Sequence, residues 1–393
     1  MNVVRAETLR RPLEMVLDLL NFSITNLAVI TVTIAMADGA KWVWVAIPLT
    51  FFAIVLGDEL LSTHPKSLRA PKWYLDAQLW LALPLLFAVT LVALDVTAPI
   101  PIPFVDDLLT FLGFDTRQSN GQVNCWVVFF VVGFIYGGVG ITVAHELCHR
   151  RDFLSQVTAR WLLAFTWDTG FSIEHVYGHH KNVGTKHDPV TARRGESLWQ
   201  YLSRSVLGQV RNAMLIEQNR ILRTNQTIFQ NKFYRGQLMS LTILILYISF
   251  LGWTRGLSMC LFAAAIGKLL LEISNYIEHY GLIRIPGRPI ESRHSWDCYK
   301  RISCYSLYNL PVHADHHQFA SRPFYDLSMT EKNSPIMPFG YMLMFVAAMF
   351  PPVWQKLIHP RLEAWDRHLA SAEELRYLEL IKQKEASSLK TVQ

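Results

Sequence analysis

The sequence predicts an all-α integral membrane protein with six transmembrane helices and a histidine-rich helical cap on the cytoplasmic side. Three observations lead to this prediction. The 393 residues are 51% hydrophobic and have a mean hydropathy of +0.21. Long apolar runs alternate with short charged loops. Most of the 14 histidines are crowded into a few short motifs that follow such runs.

Six runs are apolar and long enough to cross a bilayer, which takes about 20 residues per helix. They lie near residues 15–36, 42–61, 77–95, 124–144, 238–256 and 257–277. The alternative is six buried helices of a large soluble core, and the short charged loops between so many long runs argue against it. The first run, which contains Asp18 and Asn26, is too polar and too long for a cleaved signal peptide.

The charges between the runs predict the side of each loop, because Lys and Arg concentrate in cytoplasmic loops. Lys66, Arg69 and Lys72 lie between the second and third runs, whereas the acidic loop 96–122 contains Arg117 as its single basic residue and is expected outside. We interpret the chain as one domain in four parts. These are spans one to four (1–144), a cytoplasmic histidine-rich segment (145–235), spans five and six around a turn at "WTRG" (236–278), and a cytoplasmic segment with the third histidine cluster and a C-terminal helix (279–393). The apolar stretch 335–350 is too short to span and is expected at the interface.

Histidines gather in "HELCH" (145–149), "IEHVYGHH" (173–180) and "HADHH" (313–317), and one more ends the sixth run. In "HELCH" the spacing i, i+4 places both rings on one helix face. All three motifs fall on the predicted cytoplasmic side, so they can meet in one cavity. The candidate metal ligands are His145, His149, His175, His179, His180, His279, His313, His316 and His317. The other five, which we expect not to be ligands, are His64, His187, His294, His359 and His368.

The number of histidines narrows the chemistry. "HELCH" matches the HExxH motif of zinc proteases, but a catalytic zinc takes three protein ligands. Nine histidines instead suit two metal ions of higher coordination number, so we predict that the cap holds a di-metal site. "ELCH" also matches the Glu-x-x-His of carboxylate-bridged di-iron bundles, but their further inward glutamates are not patterned here. Imidazole suits iron, copper, zinc or nickel, and composition alone does not choose among them.

The motifs "HELCHR", "EHVYGHH", "NYIEHYGL" and "HADHH" resemble those of the membrane-bound non-haem di-iron alkane 1-monooxygenases and xylene monooxygenases, within the fatty acid desaturase-like superfamily. "NYIEHYGL" is the most discriminating of them, and "TKHDPVTARRGE" (185–196) and "HSW" (294–296) are also similar. The resemblance runs from about residue 140 to 365. Two departures affect the expected substrate: Cys148 stands where alkane hydroxylases usually carry Gly, and Pro311-Val312 where they carry Gln-Arg.

The resemblance implies two iron ions, with O2 as co-substrate, and insertion of one oxygen atom into a C–H bond. It implies hydroxylation of the terminal methyl group of a hydrocarbon, first a medium-chain n-alkane to a 1-alkanol. Methyl hydroxylation of an alkyl-aromatic such as xylene is the second reading, followed by fatty-acyl desaturation or decarboxylation. It further implies a bacterial inner membrane with the site on its cytoplasmic side, and it gives no role to nucleic acid. A histidine-rich membrane metal transporter is the non-enzyme alternative, although spans two to five have almost no polar residues through their middles.

Acidic residues beside the histidines are candidates for holding the rings, since a ligating His usually donates its other N–H to a carboxylate or carbonyl. These candidates are Glu146, Glu174, Glu272, Glu278 and Asp315. Glu272 lies within the sixth run, where an ionisable residue is functional by default, but it also sits i, i+4 from Lys268 as a simple ion-pair partner. Both interpretations stay open.

The five cysteines, at 125, 148, 260, 298 and 304, contain no CxxC pair. We therefore expect no iron–sulfur module in this chain. Electrons are expected from a separate rubredoxin or ferredoxin with its reductase. The basic inner surface is a weak indication of an acidic donor, because the positive-inside rule produces much of that charge by itself.

Overall fold

The computed structural model describes residues 2–38, 42–61, 63, 68–114, 124–330 and 332–390. Within these ranges the chain forms α-helices and no β-strand. The seventeen α-helices of the described ranges are α1 (Asn2–Ala37), α2 (Val43–Leu60), α3 (Lys72–Thr97), α4 (Pro103–Phe111), α5 (Cys125–Ile135), α6 (Thr142–Cys148), α7 (Phe153–Ala164), α8 (Phe171–Glu174), α9 (His180–Asn182), α10 (Leu198–Thr224), α11 (Lys232–Leu251), α12 (Trp253–His279), α13 (Arg301–Ser306), α14 (His313–Gln318), α15 (Tyr341–Met349), α16 (Pro351–His368) and α17 (Ala372–Lys390). Short π-helical segments, Tyr136–Ile141 and His175–His179, join α5 to α6 and α8 to α9.

Six helices of the described chain are long and apolar enough to cross a membrane, as the sequence predicts. They are Glu14–Ala37, Val43–Leu60, Lys72–Thr97, Cys125–Cys148, Lys232–Leu251 and Trp253–His279. The predicted C-terminal helix is present as α17, and the stretch 335–350 contains only the nine-residue α15. The loop 96–122, which the sequence predicts to be external, contains α4, a helix that the sequence does not predict. Lys66 and Arg117, which helped to orient the loops, lie outside the described residues.

The predicted boundary between spans five and six is wrong by about one turn. The fifth span was expected to end at residue 256 and to turn at "WTRG", but α11 ends at Leu251 and "WTRG" is the first turn of α12. Gly252 makes the turn, with φ at 76°. Glycine adopts this left-handed region without steric cost and ends the helix there.

Glycines bring α5 and α12 unusually close together. A Cβ atom on Gly133 would lie 2.5 Å from the carbonyl oxygen of Ala263, and one on Gly137 would lie 2.8 Å from the carbonyl oxygen of Gly267. Small residues allow such approach, and close packing is a main source of helix association in a bilayer. This crossing matters for the site, because α5 leads through α6 to His145 and α12 ends at His279.

The segment after His149 does not lie wholly beyond the ends of the spans. The ring of Phe165 packs 5.0 Å from that of Phe87 in α3 and 4.9 Å from that of Tyr136. Tyr136 precedes His145 by nine residues, roughly 14 Å along a helix. Helix α7 therefore runs back between the spans, and the turn 165–170 reverses the chain so that α8 returns toward the histidines. We call residues 153–180 the re-entrant hairpin.

A buried ion pair fixes the turn of this hairpin. Lys268 Nζ in α12 donates to Asp168 at 2.7 Å and also contacts Glu272 at 2.9 Å. Gln209 in α10 donates to the same Glu272 carboxylate at 2.7 Å. Because a buried charge is costly unless it is paired, these contacts tie the hairpin to α10 and α12.

The C-terminal part covers the ends of the spans on the histidine side. Trp354 of α16 is fully buried and packs against Tyr276 and Tyr280 at the end of α12. Helix α17 is attached through Glu374, which accepts a hydrogen bond of 2.7 Å from His294 Nε2. His294, one of the expected non-ligands, is thus a structural residue.

Candidate metal centre

Helix α6 supplies the first two histidines. His145 lies in its last turn and His149 at its C-cap, and both rings face the interior of the cap. Cys148 between them is buried, and its thiol donates to the carbonyl oxygen of His145. The thiol thus bonds to backbone rather than joining the ring nitrogens, as expected for a small packing residue.

The π-helical segment His175–His179 determines how the three histidines of "IEHVYGHH" are divided between two groups of ligands. In α-helical geometry His175 and His179 would face the same way, but a π turn follows an i→i+5 pattern. Accordingly the Nε2 atoms of His175 and His180 lie 3.0 Å apart. His179 is directed instead to the third cluster, with its Nε2 atom 3.2 Å from that of His317. One motif therefore contributes to two groups of ligands.

His279 and α14 complete the arrangement. The Nε2 atom of His279 lies 3.1 Å from that of His313, and the latter lies 3.0 Å from that of His317. His316, on another face of α14, has its Nε2 atom 3.2 Å from that of His180. The next glycine, Gly281, has φ at 71° and ends α12 immediately beyond His279.

All nine candidate histidines come together in two adjacent groups. The first group is His145, His149, His175, His180 and His316, and the second is His179, His279, His313 and His317. Within each group the ligand atoms lie within 4.8 Å of one another. None of the other described histidines belongs to either group, and His64 lies outside the described residues.

The spacing of the ring nitrogens fits metal ions. A metal–imidazole bond is about 2.1 Å long, so two imidazoles bound at right angles place their nitrogens about 3.0 Å apart. The neighbouring Nε2 atoms described above are separated by 3.0–3.2 Å. The Nε2 atom of His145 is buried and has no hydrogen-bond partner among the described residues. A buried nitrogen without a hydrogen bond is suited to bind a metal ion.

Burial lowers the pKa of most of these rings and keeps them neutral, as metal ligands must be. Desolvation, with the repulsion of a neighbouring histidine, lowers the pKa of His149 to about 4 and that of His313 to about 3. The same causes hold the pKa values of His175, His180 and His316 well below the usual range. The lone pairs are therefore available at neutral pH.

Asp188 is a residue of this site that the sequence analysis missed. Its carboxylate lies 2.9 Å from Nδ1 of the buried His179 and also accepts from the Thr191 hydroxyl. Burial lowers the pKa of His179, but the Asp188 charge outweighs it and the net direction is upward. A proton held on Nδ1 by Asp188 leaves Nε2 free to face the second group. The stretch 185–196 was noted as similar to the family, but spacing alone did not assign Asp188 a partner.

Of the acidic candidates, Glu278 makes the nearest described approach to a ring nitrogen. It accepts a hydrogen bond of 2.8 Å from the Tyr341 hydroxyl, and its other oxygen lies 3.4 Å from His313 Nε2. Glu174 is buried beside Asn212, and burial together with Asp188 raises the pKa of Glu174 to about 8.

The remaining candidates bind basic side chains. Glu146 pairs with Arg150 at 3.2 Å, Asp315 with Arg322 at 2.6 Å, and Glu272 with Lys268. The expected ion pair of Glu272 with Lys268 is therefore present, and its second oxygen is buried without a described partner.

Asp297 is a second residue that the sequence analysis missed. It is fully buried and accepts from the backbone N–H of Ala314, in the first turn of α14, at 2.8 Å. Its other oxygen accepts from the hydroxyls of Tyr299, Ser334 and Thr330. Asp297 thereby anchors the helix that carries three of the histidines. No local spacing signals this role, because Ala314 follows 17 residues later.

Comparison with known proteins agrees with this geometry. Residues 123–348 match the family model described as fatty acid desaturase. The chain is 37% identical to alkane 1-monooxygenase 1 of Pseudomonas aeruginosa over 262 residues, which cover 65% of this chain and 67% of that protein. The chain belongs to the fatty acid desaturase family. Within this family it is 30% identical to alkane 1-monooxygenase 2 of the same organism, over 82% of this chain and 85% of that protein.

A third relative is named for a different substrate. The xylene/toluene monooxygenase hydroxylase component XylM of Pseudomonas putida is 29% identical over 344 residues, which cover 85% of this chain and 86% of that protein. The predicted relationship to alkane and xylene monooxygenases is thus confirmed. This member of the fatty acid desaturase family is an oxidoreductase of the monooxygenase kind, and the transporter alternative is set aside.

Proposed function

We propose that this protein hydroxylates the terminal methyl group of an apolar hydrocarbon, most specifically a medium-chain n-alkane to a 1-alkanol, at a histidine-ligated di-iron centre. The observation that supports the proposal is the convergence of nine imidazoles, eight of them buried, into groups of five and four beside the ends of the spans. The overall reaction consumes O2, two electrons and two protons, and one oxygen atom leaves as water while the other enters the C–H bond.

The two groups of histidines would each hold one iron ion. Iron fits a donor set made only of imidazole, as do copper, zinc and nickel, and the family similarity favours iron. Two bound iron ions would supply the redox chemistry that reduces O2 and cleaves the C–H bond. The groups defined above assign His145 and four partners to one ion, and His279 and three partners to the other.

The residues around these groups hold the rings in place and keep water away. Asp188 fixes the tautomer of His179, and such partners typically change metal affinity 10- to 100-fold. The Phe171 ring stacks on that of His175 with centroids 4.5 Å apart, which limits rotation of the imidazole. Of the nine histidines in the two groups, all except His149 are less than 9% exposed, so a hydrocarbon bound beside them would displace little ordered water.

The substrate is proposed from the relatives and from the apolar surroundings. An n-alkane is preferred because two alkane 1-monooxygenases show the higher identities of the relatives compared here. An alkyl-aromatic such as xylene is the second candidate, because the match to the xylene/toluene monooxygenase component covers 85% of the chain.

Electrons are proposed to come from a separate rubredoxin or ferredoxin. Among the described residues no cysteine belongs to a group of potential metal ligands, whereas an iron–sulfur cluster is held by several cysteines. The exposed Lys181 and Lys186 follow the second histidine motif and would attract an acidic donor. We propose that this face is cytoplasmic and that the membrane is a bacterial inner membrane.

The proposal is tested with protein purified in detergent or nanodiscs. Metal analysis should find two irons per chain, and O2 consumption should require both reductant and an apolar substrate. Octane, hexadecane, xylene and a fatty acid, supplied separately, should give products that distinguish the substrates. One tightly held zinc and no iron would refute the proposed function.

His279 provides the sharpest single variant. If it is a ligand, His279→Ala should lower the iron content and abolish hydroxylation while the protein still inserts. The matched control is His187→Ala, because His187 is exposed and outside both groups. A His279→Ala protein with full iron and full turnover would remove His279 from the site.

A further inference from the structure

Helix α10 has an exposed apolar stripe that its expected location does not explain. Residues of one face, among them Tyr201, Gln209 and Ala213, are buried against the rest of the protein. On another face Leu207 and Leu222 are each 72% exposed. Val210 and Met214 lie between them and are also exposed, beside the polar Arg211 and Gln218. A helix surrounded by water normally carries polar residues on such a face.

The apolar stripe continues into the chain between α10 and α11. Ile228 is 62% exposed and Phe229 is 86% exposed. Together with α10 and α11 this segment forms a groove of about 180 Å³. The groove is lined by Met214, Gln218, Ile221, Leu222, Ile228, Asn231, Phe233 and Tyr234. Such a large exposed apolar surface marks an interaction site.

The position of this surface indicates its partner. Helix α11 is a candidate span that begins at Lys232, and its exposed Leu238, Leu241 and Ile245 form a lipid-facing side. The exposed Tyr234 lies at the same end of α11, so the groove is continuous with the lipid-facing surface. Aromatic residues at this level are typical of a membrane interface.

Three basic side chains accompany the apolar surface, and the Glu217 carboxylate lies near them, where it accepts from the backbone N–H of Lys232. Arg160 of α7 donates to the carbonyl oxygen of Lys232, and burial together with the nearby charge of Arg235 lowers the pKa of Arg160. In the part of the chain that the structure describes, Arg160, Lys232 and Arg235 form no salt bridge with a carboxylate. Two guanidinium groups held near each other are stabilised by an anion, and a phosphate between them would supply it.

We propose that α10 and residues 225–235 form a lipid-binding corner, embedded in the leaflet on the histidine side of the membrane. The apolar stripe of α10 and Phe229 lie among the acyl chains, and Arg160, Lys232 and Arg235 bind the phosphate of an acidic phospholipid. An amphipathic helix with this division of faces lies in the plane of the interface. The corner is independent of the proposed reaction and adds a further membrane-embedded element to the six spans and the re-entrant hairpin.

The lipid-binding corner also packs against the segment that leads to the metal centre. A Cβ atom on Gly170 would lie 3.2 Å from the Phe233 ring and 3.3 Å from Ala213, so both sides of the corner pack directly on the turn that precedes α8. Helix α8 begins at Phe171 and leads to His175. Lipid bound at the corner would therefore stabilise the histidine-bearing hairpin.

Depth measurement tests the insertion. Spin labels are placed at Phe229→Cys and, as a control outside the proposed corner, at the exposed Glu379→Cys of α17, both in a Cys125→Ser background and in nanodiscs. We expect the label at 229 to be relaxed by dissolved O2 and shielded from an aqueous nickel chelate, and the label at 379 to show the reverse. Equal exposure of both labels to the nickel chelate would overturn the insertion.

Lipid retention tests the basic site. Each basic group near an anionic surface contributes a factor of about five to binding, so Arg160→Gln with Arg235→Gln should weaken phosphatidylglycerol retention about 25-fold. Native mass spectrometry measures the retained lipid. Arg160→Lys with Arg235→Lys keeps both charges and should retain most of the lipid. Arg376→Gln, in α17, is the control. Equal retention by the double Gln variant and the control would refute the proposed headgroup site, whatever substrate the enzyme is found to use.

Discussion

The close crossing of α5 and α12 predicts that a single methyl group disturbs the metal centre from a distance. Gly133→Ala would place a Cβ atom 2.5 Å from the carbonyl oxygen of Ala263, whereas ordinary contact begins at 3.4 Å. The obstacle is backbone, which cannot rotate away. The two helices must therefore separate by about 0.9 Å, and overpacking of this kind costs about 1–3 kcal/mol.

The displacement is large for a metal site. His145 follows Gly133 by twelve residues, about 18 Å along the helix, and a functional constellation tolerates errors of only about 0.5 Å. If the separation extends to the ends of α6 and α12, it moves His145 away from His279. Because these two residues belong to different groups, the two groups of ligands then move apart. We expect Gly133→Ala to lower the melting temperature and the number of metal ions retained per chain.

The same helix offers the control. Gly138 has open space where a Cβ would be added, and alanine favours a helix over glycine by about 0.5–1 kcal/mol. Gly138→Ala should therefore melt at the same or a higher temperature and retain its metal. Both are measured by thermal unfolding in detergent and by metal analysis after desalting. If the two variants melted together and held equal metal, the crossing would not constrain the centre.

Three further predictions follow from contacts of the site and its covering. Asp188→Asn should weaken metal binding by about 10- to 100-fold in a chelator competition, because the buried His179 loses its carboxylate. An impermeant thiol reagent should label Lys186→Cys only in permeabilised cells and should label Phe104→Cys in intact cells. The distribution of Lys and Arg predicts that residue 186 is cytoplasmic and that residue 104 is external. Glu374→Gln should speed hydrogen exchange in α17. Hydrogen bonds to Glu374 outweigh its burial and lower its pKa to about 2 from 4.5, so its contribution is present above pH 4.5 and is lost as the pH falls toward 2.

Each of these has an outcome that contradicts it. Unchanged chelator competition by Asp188→Asn, with His187→Ala as the neutral control, would show that the carboxylate does not support its ring. Labelling at residue 186 from outside intact cells would invert the topology. Equal exchange rates in α17 before and after Glu374→Gln would show that another contact holds the C-terminal helix.

The sequence predicts features that depend on local pattern. Apolar runs of about 20 residues identify the six spans, and the crowding of histidines identifies all nine residues that the structure gathers. The boundary at Gly252 was placed too late, because the apolar character of the chain continues through the turn and only the glycine backbone interrupts it. Hydropathy does not report such an interruption.

Other features depend on contacts that no local pattern contains. The division of the second motif between the two groups follows from the π-helical segment, since α-helical spacing pairs His175 with His179 rather than with His180. Asp188 and Asp297 act on residues 9 and 17 positions away. The re-entrant course of α7 is also not predicted from polarity. The polar Asp168 in its turn argues against a position between the spans, but its charge is paired with Lys268 of the sixth span.

The re-entrant hairpin has a consequence for how the chain is made. Asp168 emerges from the ribosome 100 residues before its partner Lys268, which at 5–20 residues per second is a delay of about 5–20 s. During that time the hairpin lacks both its ion pair and the helices that enclose it. His279 and the histidines of α14 are synthesised later still, so a metal ion that arrives early can meet only part of either group. A complete set of histidines in either group therefore exists only after the last span and α14 have been synthesised.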